Sequence, residues 1–215
     1  MTGEQTVLRH TLAVRILHWL IAGSGLMLVF SGFGFMPLYG RFYLNNLPGL
    51  QWVSDFQTQM NLHYLSAILF MAACLFHLVY HWRRGEKAVL PQRGDVRASW
   101  LIIKAMLTGG EEPANDKFLA EQRLTYAAFV GVSIILSATG YLLAIKSQLS
   151  TFIEPRLLQV LVLLHLATTF LFLTLVGLHL AAFLLKVNRP LFLSIFNGRV
   201  KRSYARQRHA RWRNQ

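Results

Sequence analysis

His63 and His77 lie inside one long apolar segment, and His165 and His179 inside another, each pair fourteen residues apart. Fourteen residues is close to four helical turns, so the members of each pair share a helix face, ~21 Å apart along the axis. That separation suits two redox centres stacked across a bilayer whose apolar core is ~30 Å thick. An imidazole inside a membrane span is costly and marks a ligand or a proton path. Paired histidines on facing helices are how helical bundles hold haem iron axially. One such histidine serves packing as readily as ligation; four at matched depths on several helices favour ligation. The spans hold no acidic residue, so di-iron or zinc centres rich in carboxylates lack their donors.

The elements that must position these rings are legible in the composition. Of the 215 residues, 54% are hydrophobic and only 14% charged, an unusual balance for a soluble domain. The apolar residues cluster into four runs, about 14–36, 62–82, 124–146 and 157–187, each near or above the ~20 residues of a spanning helix. The expected fold is an all-α membrane protein: a four-transmembrane-helix bundle occupying residues 1–215 as one domain, followed within it by a basic tail, 188–215. The fourth run is long enough to tilt or to extend past the membrane surface. The start, MTGEQTVLRH, lacks a signal-peptide layout, and the first run is read as a retained helix. Cys74 is the only cysteine, which excludes iron–sulfur clusters and cysteine-based zinc sites from this chain.

The net charge is +13. Because the charges flank apolar spans, they speak for lipid headgroups and membrane topology, and no nucleic-acid partner is expected. Arg9 and Arg15 precede or open the first span. Arg83, Arg84, Lys87, Arg93, Arg97, Lys104 and Lys117 fall between the second and third, and the tail is rich in arginine. The 37–61 and 147–156 loops carry almost none. The positive-inside rule then puts both termini and the middle loop in the cytoplasm. In that orientation His63 and His165 lie toward the outer face, whereas His18, His77 and His179 lie toward the inner one. His63 and His165 form the candidate outer haem site. Depth leaves either His18 or His77 to join His179 at the inner site. His81 reads as a surface residue, and His10 and His209 as solvated. Gly23, Gly25, Gly32, Gly34, Gly140 and Gly177 leave room for a porphyrin plane or for close helix packing. ASWLIIKAML in the middle loop is an amphipathic surface helix, GGEEPAND a turn, and the tail a lipid-contacting segment.

The stretches ILHW around His18, FSGFGF, NLHYLSAILF around His63, SATGYLL, and LLHLATTFLFLTLVGLHLAAF with His165 and His179 carry a resemblance. With the tail NGRVKRSYARQRHARW, they make the chain similar to the cytochrome b (gamma) subunit of membrane-bound formate dehydrogenases. The broader family includes the cytochrome b subunit of nickel–iron hydrogenases, which is the alternative reading. The resemblance implies two haem b groups, with His63 and His165 on the outer iron and His18 and His179 on the inner, and His77 as the alternative inner ligand. It implies a quinone, menaquinone or ubiquinone, taking electrons near the cytoplasmic side beside the segment entering span three. There Gln122 and Arg123 match a polar pair of the family, while Leu119, Ala120 and Glu121 replace its asparagine–alanine–glycine triplet. It also implies an iron–sulfur (beta) subunit, a catalytic alpha subunit beyond it, a bacterial inner-membrane location, and scope for a higher oligomer of the complex. The substrate-oxidising site belongs elsewhere; this chain passes electrons.

Overall fold

The computed structural model describes residues 5–36, 38–110, 113, 115–146 and 154–212. Four of its helices are long and apolar enough to cross a membrane: Leu12–Phe35, Phe56–Arg83, Ala120–Ala144 and Pro155–Leu184. The chain gathers into two compact units, one spanning Leu12–Gly85 and the other comprising Met1–Thr11 with Glu86–Gln215.

In the first unit, helix α1 (Leu12–Phe35) packs against α3 (Phe56–Arg83), with the single turn α2 (Leu38–Arg41) and two short 3-10 turns between them. The second apolar run starts at 62 in the sequence, yet its helix starts at Phe56. Asp55 explains the difference: its carboxylate accepts the Thr58 backbone N–H at 2.6 Å, a cap that lets the polar first turn FQTQMN become helical. Within α1, Ser24 and Ser31 turn their hydroxyls onto the Leu20 and Met27 carbonyls at 2.6 and 2.8 Å, which hides polar groups an apolar face cannot satisfy. Toward the end of α1 the two helices meet closely. Gln59 of α3 is fully buried, donates from Nε2 to the Val53 carbonyl at 3.0 Å, and fills the space in front of Gly34.

The second unit holds β1 (Thr6–Leu8), α4 (Asp95–Thr108), α5 (Ala120–Ala144), α6 (Pro155–Ala181), α7 (Arg189–Asn197), β2 (Arg199–Lys201) and α8 (Arg202–Arg208). Helix α4 is the amphipathic piece of the middle loop, framed by Gly94 at φ 89° and Gly109 at φ 72°, conformations other residues adopt with strain. Its apolar side packs on the entry to α5, where Ile102, Leu119 and Ala120 are almost wholly buried. The GGEEPAND turn lies in part outside the described residues. Proline opens α6 at its first position, where its missing N–H costs nothing. This helix ends at Ala181 and continues only as a 3-10 turn to Leu184. It therefore stops short of residue 187 and gives way to the separate helix α7.

Strands β1 and β2 pair antiparallel, with Thr6 opposite Lys201, Val7 opposite Val200 and Leu8 opposite Arg199. Backbone bonds extend the join, from the Arg9 and His10 N–H groups to the Gly198 carbonyl at 2.8 and 3.1 Å, and from the Arg202 N–H to the Gln5 carbonyl at 2.9 Å. The tail is thus folded onto its own unit. His209, expected in solvent, has no exposed surface. Its contacts are supplied by the N-terminal segment and the entry to α5, long-range partners that no local pattern announces.

A Cβ at position 34 would overlap Gln59 Cγ, a mid-chain atom of a buried, hydrogen-bonded side chain. Gly34→Ala is expected to destabilise the α1–α3 pair by about 1–3 kcal/mol. Combining it with Gln59→Ala should recover part of that loss, read as thermal midpoints of the detergent-solubilised protein.

Candidate haem-ligand sites

Two helices in each unit bring chemistry to the same place. His63 lies two turns into α3, half-buried. Its Nδ1 is 2.9 Å from the Ser31 hydroxyl of α1. The Phe35 ring stands 5.1 Å away, and Gly32 faces the ring edge, its would-be Cβ 3.8 Å from Cε1. In the second unit, His165 of α6 repeats the pattern. Its Nδ1 is 2.8 Å from the Thr139 hydroxyl of α5, and Gly140 faces Cε1 at 3.2 Å.

Ser31 points its only O–H at the Met27 carbonyl, and Thr139 points its own at the Ile135 carbonyl, at 2.7 Å for the latter. When Nε2 binds a metal the ring hydrogen sits on Nδ1, and each hydroxyl oxygen, with a helix carbonyl available for its own proton, is placed to accept it. A neutral imidazole held by Nδ1–H with its Nε2 electron pair available is the form in which histidine binds a metal.

The other candidates are held differently. His179 of α6 lies among aromatic rings, edge-on to Phe129 at 6.1 Å and to Phe183 at 5.6 Å. His18 of α1 meets the Trp19 ring at 5.4 Å, edge-on. His77 and His81, one turn apart on α3, meet in a tilted contact with centroids 4.4 Å apart, and both are half-buried. His18, His63 and His77 belong to the first unit, and His165 and His179 to the second.

A polar cluster gathers where the second unit's helices end. Arg123 grips Asp95 with two nitrogens, Nε to Oδ2 at 2.8 Å and Nη2 to Oδ1, and donates from Nη1 to the Phe118 carbonyl at 2.8 Å. These bonds hold the Asp95 carboxyl below its usual range, the Arg123 hydrogen bond being the main cause. Gln122 accepts from the Leu119 N–H at 3.2 Å and from Arg9 Nη2 at 3.5 Å. Arg9 Nη1 donates to His209 Nε2 at 3.2 Å, and His209 Nδ1–H donates to the Asp116 carbonyl at 2.7 Å. A carbonyl can only accept, so His209 is neutral with both nitrogens engaged. Burial, then the Arg9 charge, pushes it down to about 4, and burial brings Arg9 down to about 10. Arg208, also buried, donates to Asn188 Oδ1 and to the Val187 carbonyl. Gln122 and Arg123 thus sit together at the entry to α5, already bonded within their own unit.

Ser31 and Thr139 were not singled out in the sequence, although both motifs containing them were. FSGFGF and SATGYLL share a hydroxyl residue followed by glycine, each on the helix packed beside a histidine-bearing one. That dipeptide was the available signal.

Apolar helices that each present an imidazole, with Nδ1 bonded to a neighbouring helix and glycine beside the ring, define a class: multi-pass membrane proteins equipped to hold a porphyrin. The residues fit such a group by donor type, imidazoles carried on apolar helices with one ring nitrogen already partnered. The chain belongs to the prokaryotic cytochrome b561 family, whose model matches residues 9–198. Membership implies b-type haem. The chain is 23% identical to the formate dehydrogenase cytochrome b556 subunit of Haemophilus influenzae over 99% of its own length and 84% of that protein. It is 24% identical to the nitrate-inducible formate dehydrogenase cytochrome b556(Fdn) subunit of Escherichia coli K12, over 99% and 92% of the two chains.

Because His209 is lowered from 6.5 to about 4 on folding, its neutral form stabilises the docked tail fully above pH ~6.5. That contribution is lost progressively as pH falls from there toward 4, since the unfolded chain takes up the proton first. Thermal midpoints should drop between pH 7.5 and 5 in the parent protein, and drop less in His209→Gln, which keeps a donor and an acceptor but does not titrate.

Proposed function

We propose that the chain is the dihaem cytochrome b membrane subunit of a formate dehydrogenase complex. In this reading His63 and His165 are the axial ligands of an outer haem and His18 and His179 those of an inner one. The observation that carries it is the pair of Nδ1–hydroxyl bonds at His63 and His165, which prepare both rings for metal binding. The names of the two relatives supply the formate dehydrogenase context. The family resemblance favours His18 over His77 as the inner ligand.

When bound, the haems supply one-electron relays between an iron–sulfur partner on the periplasmic side and a quinone near the cytoplasmic side. The protein's part is to fix ligand identity, ring orientation and burial, which set the potentials. An electron moved inward against 100 mV costs about 2.3 kcal/mol, which oxidation of substrate on the catalytic partner has to supply. At the quinone end, Gln122 offers its amide, while Arg123 keeps segment 116–123 in place through Asp95. The β1–β2 pairing of the two chain ends supports their lying on one side, and the arginine-rich flanks make that side the cytoplasmic face of the bacterial inner membrane.

Co-purification from native membranes tests the assembly: iron–sulfur and formate-oxidising subunits are expected with this chain, and a hydrogenase large subunit would reassign it. In reduced-minus-oxidised spectra, His63→Ala and His165→Ala should each remove the same one of two b-type haems. His18→Ala and His179→Ala should remove the other, and His77→Ala should keep both. Retention of the inner haem in His18→Ala with its loss in His77→Ala would reverse the inner pairing.

A further inference from the structure

We infer that Ser31 and Thr139 are matched positioning residues for the outer haem, each fixing the tautomer and electron donation of one of its two axial imidazoles. The inference rests on the assignment of His63 and His165 as ligands of one haem. Its own basis is the arrangement found independently in each unit. One helix carries the imidazole, the helix packed beside it carries a hydroxyl, and the residue after the hydroxyl is glycine.

The two sites agree in detail. Ser31 and Thr139 are buried, at 0% and 4% exposure. Both hydroxyls have a carbonyl one turn back on their own helix for their proton, which leaves the oxygen a lone pair for the Nδ1–H of a ligating ring. Both oxygens meet Nδ1 at hydrogen-bonding distance, 2.9 and 2.8 Å. Gly140 then lets the ring edge lie close against the helix, since a Cβ there would stand 3.2 Å from Cε1, and Gly32 faces its ring at ordinary contact distance. A hydroxyl that only stabilised its own helix would have no reason to face an imidazole nitrogen twice.

An acceptor on Nδ1–H makes the imidazole a stronger electron donor through Nε2 and stabilises the ferric state of a bound iron. Two such bonds on one haem lower its midpoint potential from both faces. Ser31 and Thr139 bond His63 and His165, so their effect falls on the haem that those two rings hold.

The test is potentiometric titration of the purified complex carrying Thr139→Val, which keeps the side-chain shape, and Ser31→Ala, with Thr139→Ser as the conservative control. Thr139→Val and Ser31→Ala should each keep two haems and raise the midpoint of the same haem. The expected size is about tenfold in the ferric-to-ferrous ratio at fixed potential, or about 59 mV for a one-electron couple. The other haem should hold its midpoint, and Thr139→Ser should match the parent. If Ser31→Ala fails to assemble, Ser31→Cys, a weaker acceptor of similar volume, should give a smaller shift of the same sign. Unchanged midpoints in the Ser31 and Thr139 variants, or equal shifts in both haems, would overturn the inference while leaving the ligands standing. Failure of the ligand assignment is separately visible, as His63→Ala and His165→Ala removing different haems or none.

Discussion

An imidazole between apolar helices has one nitrogen for a ligand and another that must find a partner inside the protein. Much of the candidate site follows from meeting that second demand. At His63 and His165 the partner is a hydroxyl on the neighbouring helix, and the hydroxyl is itself tied to its own backbone. The chain of contacts runs from carbonyl to hydroxyl to ring. Burying the hydroxyl without a bond would cost ~1–3 kcal/mol; here the same buried atom satisfies its helix and orients the ring. Helix packing has to be close enough to keep those distances, and glycine beside the hydroxyl provides the clearance.

The second constraint lies outside the apolar helices. Charged groups there are buried by pairing, not by exposure. Asp95 and Arg123 join α4 to the entry of α5, while Arg9, His209 and Gln122 join the N-terminal segment to the tail and to that same entry. The chain's strong positive charge is therefore not all solvated. Arg9, Arg123 and Arg208 are drawn inward by specific carbonyl, carboxylate and imidazole acceptors. A buried pair of this kind contributes registry more than stability, because desolvation offsets much of the attraction. Here the registry concerns the stretch 116–123, where a polar pair was expected to meet a quinone.

The four apolar helices were legible because length and hydropathy decide them, and the histidine spacing was legible because helical geometry is periodic. Their ends were less so. Phe56 could join α3 only because Asp55 caps it, and Ala181 ends α6 although the apolar pattern runs on. The Ser31 and Thr139 contacts were invisible for a different reason. They join residues 32 and 26 positions apart across two helices, and a hydroxyl in an apolar segment carries no mark of which way it faces. The burial of His209 was missed on the same ground, since a basic tail looks solvated until its acceptors are known.

The pairing of β1 with β2 has a consequence for biogenesis. The first strand, complete within the opening nine residues, has its hydrogen-bonding edge unmatched until residues 199–201 leave the ribosome. Closure of this seam is thus a late event, possible only once every intervening helix has been inserted. A chain stalled or cut before residue 199 would keep that edge open.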